Sequence, residues 1–330
     1  MYQIICLLSL VLPQDDSLKK QALEKSEFQL LGGWRITGEF SRGGIAINHE
    51  SKTLYVVGHA QRQEVYEFDL PDFGKGVKVG DWPALKSKRV IPGWWQDGYA
   101  NSLVYHDGKL WAAVRKFYDT SPPSTLTLFA LGGESRTIKL PRQQYSGFVK
   151  SAGQFPELGC GGYESGQGSA YGPTLATLEG KSLIAHDFNN NWDTREKREP
   201  NYFPVGHKDS WLALEPREVN GKKEGRWACD RIYGGGVRLK TGIYYWPQLG
   251  IGDIDYARQC DTFAATTATY QYRYDPETYK MLGWEKLSDL GPIHGQDISP
   301  DGKLLYLSEG NAWKSGLYQV DPVVRVYQIK

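Results

Sequence analysis

One short segment constrains the fold more than any other: Ile298-Ser-Pro-Asp-Gly-Lys-Leu-Leu-Tyr-Leu-Ser308. Ile298 opens an inner strand. Pro300-Asp-Gly302 supplies a turn with a glycine free to take positive φ, and residues 303–308 return as a second strand rich in apolar and aromatic residues. The same hairpin recurs at residues 44–59, 101–115, 173–186 and 236–246, with its cleanest copy at 294–311. A third strand is predicted behind each hairpin, at 64–70, 125–131, 211–215, 269–275 and 316–321. Outer strands are predicted at 86–91, 136–140, 226–231 and 284–287. Residues 28–37 occupy the place of an outer strand before the first hairpin, and the tail 323–330 competes with them for the last position.

A four-stranded sheet cannot bury both faces alone, so such units stack face to face, and a closed ring removes the exposed ends. Composition agrees. The 38 Gly, 17 Pro and 13% aromatic residues suit many short strands joined by turns, without long helical tracts. The Ser299-Pro-Asp-Gly-Lys-Leu-Leu-Tyr-Leu307 phrase and its weaker copies resemble the blades of β-propellers, over nearly the whole chain. The resemblance implies an all-β chain with one domain, residues 28–330, and a five-bladed β-propeller. Six or seven blades are the alternative, if residues 189–210 hide further strands instead of forming an insertion. The fold does not imply an activity, because similar blades serve lactonases, hydrolases, lyases and scaffolds.

The run Ile4 to Leu12 is apolar but too short to span a bilayer. It suits the core of a signal peptide over residues 1–14, followed by a charged linker at 15–27, which predicts an extracytoplasmic protein, periplasmic or secreted. No basic residue precedes the run and no small-x-small cleavage site follows it. With residues 1–14 removed, Cys160, Cys229 and Cys260 remain. They allow one disulfide of open connectivity and one free thiol, and no zinc-ligand spacing is present. The 39 basic and 38 acidic side chains give a formal charge of +1, so no global field draws the chain to nucleic acid or an anionic membrane. A monomer that binds a carbohydrate or another polar small ligand is expected.

The resemblance also implies that loops leading into innermost strands and loops leaving second strands share one face. In this chain those loops are long and polar, while the opposite turns (His49-Glu-Ser-Lys, His106-Asp-Gly-Lys, Glu179-Gly-Lys, Pro300-Asp-Gly-Lys) are short. Function is therefore expected on the long-loop face. Trp94 and Trp95, adjacent in a Gly-flanked loop that cannot easily bury both, are candidates for stacking on a sugar. Asp97, Arg115, Arg231, Tyr233, Glu309 and His59 are candidates for binding its hydroxyls or carboxylates. His186 and His294, with Asp187 and Asp297, are the candidate catalytic groups of a glycoside hydrolase or a polysaccharide lyase. His49, His106 and His207 read as solvent residues. Asp253-Ile-Asp255 offers two carboxylates toward a Ca²⁺ site, with no other metal or cofactor indicated. The reading from a different class is a non-catalytic scaffold whose aromatic loops anchor another protein.

Overall fold

The structure is a computed structural model. It describes residues 27–37, 44–58, 62–96, 98–115, 124–140, 147–159, 174–184, 212–219, 222–231, 235–253, 268–287, 290–314 and 320–330. Among these residues the strands form four sheets, of four, four, six and eleven strands, within which five four-stranded antiparallel groups can be distinguished. Blade 1 comprises Ile45–Asn48, Thr53–Val57, Glu64–Asp69 and Arg89–Pro92, and blade 2 comprises Tyr99–His106, Lys109–Arg115, Ser124–Ala130 and Ser135–Leu140. Blade 3 is the smallest, with Gly147–Ser151, Glu157–Gly159, Leu175–Ala176 and Ser182–Ile184. Blade 4 comprises Gly235–Leu239, Gly242–Tyr245, Ala268–Tyr274 and Met281–Leu287. Blade 5 takes Ile293–Ile298, Leu304–Lys314 and Val320–Ile329 from the end of the chain and Phe28–Ile36 from its beginning.

The first strand of each blade neighbours the first strand of the next in a closed cycle from blade 1 through blade 5 and back. Alternation of side chains explains why the cycle holds. In Ile45-Ala-Ile47, both isoleucines pack toward blade 5 with Trp34, Tyr306 and Val324, whereas Ala46 packs toward blade 2 with Leu103 and Trp95. Val104 and Phe148 join blades 2 and 3, Val149 and Tyr245 join blades 3 and 4, and Val237 and Leu305 join blades 4 and 5. Each interface thus has its own apolar cluster, and the chain is a β-propeller. Fully burying one such Val, Leu or Ile stabilises by about 1.5–3 kcal/mol.

Both termini that competed for the last blade are in it, side by side. Val320–Ile329 is the third strand and Phe28–Ile36 the fourth, paired antiparallel from Phe28↔Ile329 to Arg35↔Val323. The outer edge of Phe28–Ile36 is then covered by Gly74–Lys75 and Ala84–Leu85, so it offers no free edge over those residues. Trp82, 1% exposed, closes the cover, donating to the Gly76 carbonyl while its own carbonyl accepts Arg35 Nε.

Blade 3 corrects the sequence reading. The hairpin at 173–186 supplies the outer pair of that blade, and the innermost strand is Gly147–Ser151, which carries no Asp-Gly-Lys turn. The strands expected at 211–215 and 226–231 are also displaced. Leu212–Val219 and Lys222–Arg231 form a hairpin against Gln248–Asp253, beyond blade 4, instead of finishing blade 3. Residues 1–26 and 185–211, which include the expected signal peptide and the segment 189–210, lie outside the described residues. No helix among the described residues is long and apolar enough to cross a membrane.

Candidate functional site

The innermost strands approach so closely that blades 3 and 4 share parallel hydrogen-bonded pairing, Phe148↔Gly235 to Ser151↔Arg238. Small residues permit this. A Cβ at Gly235, where φ is +105°, would lie 2.0 Å from the Phe148 carbonyl oxygen, and one at Gly295 would lie 2.7 Å from the backbone at Gly44. What fills the axis is polar. Lys150, 2% exposed, extends from blade 3 to donate to the Ile45 carbonyl of blade 1 at 2.5 Å and stands 3.4 Å from Asp297 Oδ2 of blade 5. Asp297, 6% exposed, also accepts the Ile47 N–H at 2.7 Å and the Ile298 N–H at 2.8 Å. Gln296 Nε2 donates to the Phe148 carbonyl, and Ser102 Oγ accepts the Phe148 N–H, each at 3.3 Å. Burial pushes the Lys150 ammonium below its ordinary pKa, with the Asp297 carboxylate opposing.

Asp297 is therefore a tie between three blades, and it lies in a strand, Ile293–Ile298, where a loop was expected. His294, on the same strand, sits at a register shift between Ile293 and Gly295, half-buried over Gly310. Three residues of extended chain put it roughly 10 Å from Asp297. A Cβ at Gly310 would come within 2.2 Å of the imidazole, so the glycine makes room for the ring. Glu309, 4% exposed, accepts the Gly291 N–H at 2.6 Å and pairs with Arg325 Nε at 2.5 Å, inside blade 5.

Of the two adjacent indoles, Trp95 is buried and Trp94 partly so. Trp95 is 9% exposed and donates to Gln63 Oε1 at 2.9 Å; Trp94 is half-buried and donates to the Phe129 carbonyl at 3.0 Å. Their rings meet edge to face, 5.0 Å apart, within the cluster between blades 1 and 2. His59, Asp97, His186, Asp187 and Tyr233 lie outside the described residues, and of Arg115 and Arg231 the structure describes only the backbone. Cys160 and Cys260 also lie outside the described residues, whereas the backbone of Cys229 pairs with Gly250. Asp253 ends the strand Gln248–Asp253, and Asp255 lies outside the described residues. Among the described residues no group of three or more His, Cys, Asp or Glu could hold a metal ion.

Two cavities open on the opposite, short-turn face. The first, about 300 Å³, sits at the mouth of the axis with Lys150 and Asp297 in its lining and Asn48, His49, His106 and Asp107 around it. The second, about 590 Å³, lies between blades 3, 4 and 5 and is lined by Arg238, Lys240, Asp301 and Lys330 among others. Ser151, Gln154 and Ile298 line both, so the two adjoin. The turns that frame them are stiff. Asp107 and Gly108, with φ of +46° and +74°, form the two-residue connection between His106 and Lys109, while Asn48 Oδ1 accepts the N–H groups of Glu50 and Ser51.

His49 is not the solvent residue expected. It is half-buried, 5.6 Å from the Tyr306 ring, and burial lowers its pKa even though the Asp297 and Asp301 carboxylates act to raise it. His106 packs edge to face on Phe155 at 5.3 Å, and its Nε2 lies 3.2 Å from Asp107 Oδ2. Lys150 went unnoticed in the sequence. Its signal was a single cation in the apolar run Gly147-Phe-Val-Lys-Ser151, which is where a buried charge needs a buried partner.

No family model matches the chain, and no curated protein sequence matches it. Among solved structures, the WD40 repeats of RRP9 are similar at 10% identity and a TM-score of 0.35, covering 87% of this chain and 67% of that one. The Dos1 propeller is similar at 14% identity and a TM-score of 0.26, covering 85% and 71%. At these values neither bears on function, and the propeller assignment rests on the strand order and the cycle of inner strands.

Proposed function

We propose that the protein is a non-catalytic interaction scaffold that binds another polypeptide on its short-turn face. The observation that carries this reading is the pairing of a filled axis with two adjoining open cavities. Asp297, the described carboxylate nearest the axis among the catalytic candidates, is held by Lys150 and by two backbone N–H groups. A general acid or base has to exchange its proton with substrate, and a carboxylate held by three donors in the core is poorly placed to do so. The rim beside it is different: exposed Glu50, Asp107, Gln154 and Lys240 stand on short turns held by packed blades, the arrangement in which a rigid scaffold presents recognition residues.

The test combines two assays. A photo-crosslinking amino acid replaces Gln154, at the junction of the cavities, and in a separate protein Thr125, exposed on the third strand of blade 2; both are exposed to a displayed library of random peptides. Turnover is measured in parallel on uronate-containing and neutral polysaccharides. The scaffold reading expects peptides captured at position 154 and not at 125, and no turnover. Polysaccharide turnover without peptide capture would refute it.

A further inference from the structure

The joined cavities carry opposite charge at their two ends. At the end made by blades 1 and 2, Glu50 and Asp107 are exposed, and the lysines that close the same two hairpins are engaged elsewhere, Lys52 with Asp72 and Lys109 with Glu134. Between the ends lies the Lys150–Asp297 pair, which adds no net charge. At the end made by blades 4 and 5, Lys240 and Lys330 are exposed, whereas Arg238 is held by both oxygens of Glu157, and Asp301 is engaged by Ser299 and Lys303. Among the described residues the acidic end therefore presents the Glu50 carboxylate, with Asp107 beside His106 Nε2 at 3.2 Å, and the basic end the Lys240 and Lys330 ammonium groups. A cavity of about 300 Å³ joined to one of about 590 Å³ along shared residues suits an extended chain better than a single compact ligand.

Resting on the scaffold reading, we infer that this groove takes an extended peptide carrying a basic side chain where it crosses blades 1 and 2 and an acidic one where it crosses blades 4 and 5. The backbone polar groups of such a peptide meet hydrogen-bonding partners at the junction, Gln154 and Ser151, and the two charges fix its direction.

The intact protein is tested against fluorescent octapeptides of one backbone sequence, with charges at the two ends set as mixed, both basic, both acidic or neutral, and the mixed set made in both orders. One mixed order is expected to bind about tenfold more tightly than the both-basic and both-acidic peptides, the scale of two exposed ion pairs gained or lost. Two variants confined to exposed residues reverse the preference. Glu50→Lys with Asp107→Asn, which keeps a side chain tolerant of positive φ, shifts selection to the both-acidic peptide, and Lys240→Glu with Lys330→Glu shifts it to the both-basic one. Equal binding of every charge arrangement overturns this inference and leaves the scaffold reading standing. Absence of binding by every peptide overturns both.

Discussion

Removing one partner of the axial ion pair should cost far more than removing both. Lys150→Met keeps the length and packing of the stem but leaves the Asp297 carboxylate, 6% exposed, with only the N–H groups of Ile47 and Ile298. Asp297→Asn retains an acceptor for Ile47 but leaves the Lys150 ammonium with only the Ile45 carbonyl. A buried charge stripped of its partner costs about 3–5 kcal/mol, so each single variant should lose that much stability. The double variant carries no buried charge and needs only to accommodate the imperfect amide and the freed Ile45 carbonyl, at about 1–2 kcal/mol. The coupling between the sites is then at least about 4 kcal/mol, read from urea unfolding followed by tryptophan fluorescence. Single variants that lose less than about 1 kcal/mol, with additive effects, would show that the axis is not held by this pair. An Asp297 serving only catalysis would leave stability nearly untouched.

Four further outcomes are expected. Gly235→Ala should destabilise by at least about 3 kcal/mol, because the new Cβ meets the Phe148 carbonyl at 2.0 Å and φ is +105°; a milder loss would mean that blades 3 and 4 are not in parallel contact. Trp95→Ala should cost about 3–5 kcal/mol by chemical denaturation, as expected for a packed indole between blades 1 and 2 and not for a ligand-facing one. The folded state holds His49 below its ordinary pKa of 6.5, so the unfolded chain takes up the proton first and stability should fall as pH drops through that value; in His49→Gln the fall should be shallower. Burial holds the Tyr306 phenol above its ordinary 10.0, so the unfolded chain loses its proton first and stability should fall as pH rises past that value, less steeply in Tyr306→Phe.

The repeated hairpins were legible because turn chemistry and alternation act locally: Asp-Gly at 107–108 and 301–302 sits at two such turns, and the paired strands follow. Blade 3 was misread for the same reason. Glu179-Gly-Lys carries the turn signal, but in the outer half of its blade, while the inner turn after Ser151 uses Ala-Gly-Gln, which looks like nothing in particular. The place of each terminus in blade 5 was hidden because pairing between residues 28 and 329 has no local sequence cue. The packing of Trp94 and Trp95 has no local cue because the indoles' partners, the Phe129 carbonyl and Gln63, lie more than thirty residues away. Lys150 and Asp297 were each visible as residues, but only the ring brings together positions 147 apart.

The most direct test of the account is amide hydrogen exchange on the intact protein, alone and with the best-bound mixed-charge octapeptide. Protection is expected at residues 48–51, 106–108, 151–154 and 238–241, the turns that border the two cavities, with little change at residues 93–96 and 309–311. Protection confined to 93–96 and 309–311, with the short turns unchanged, would place recognition on the long-loop face and contradict it.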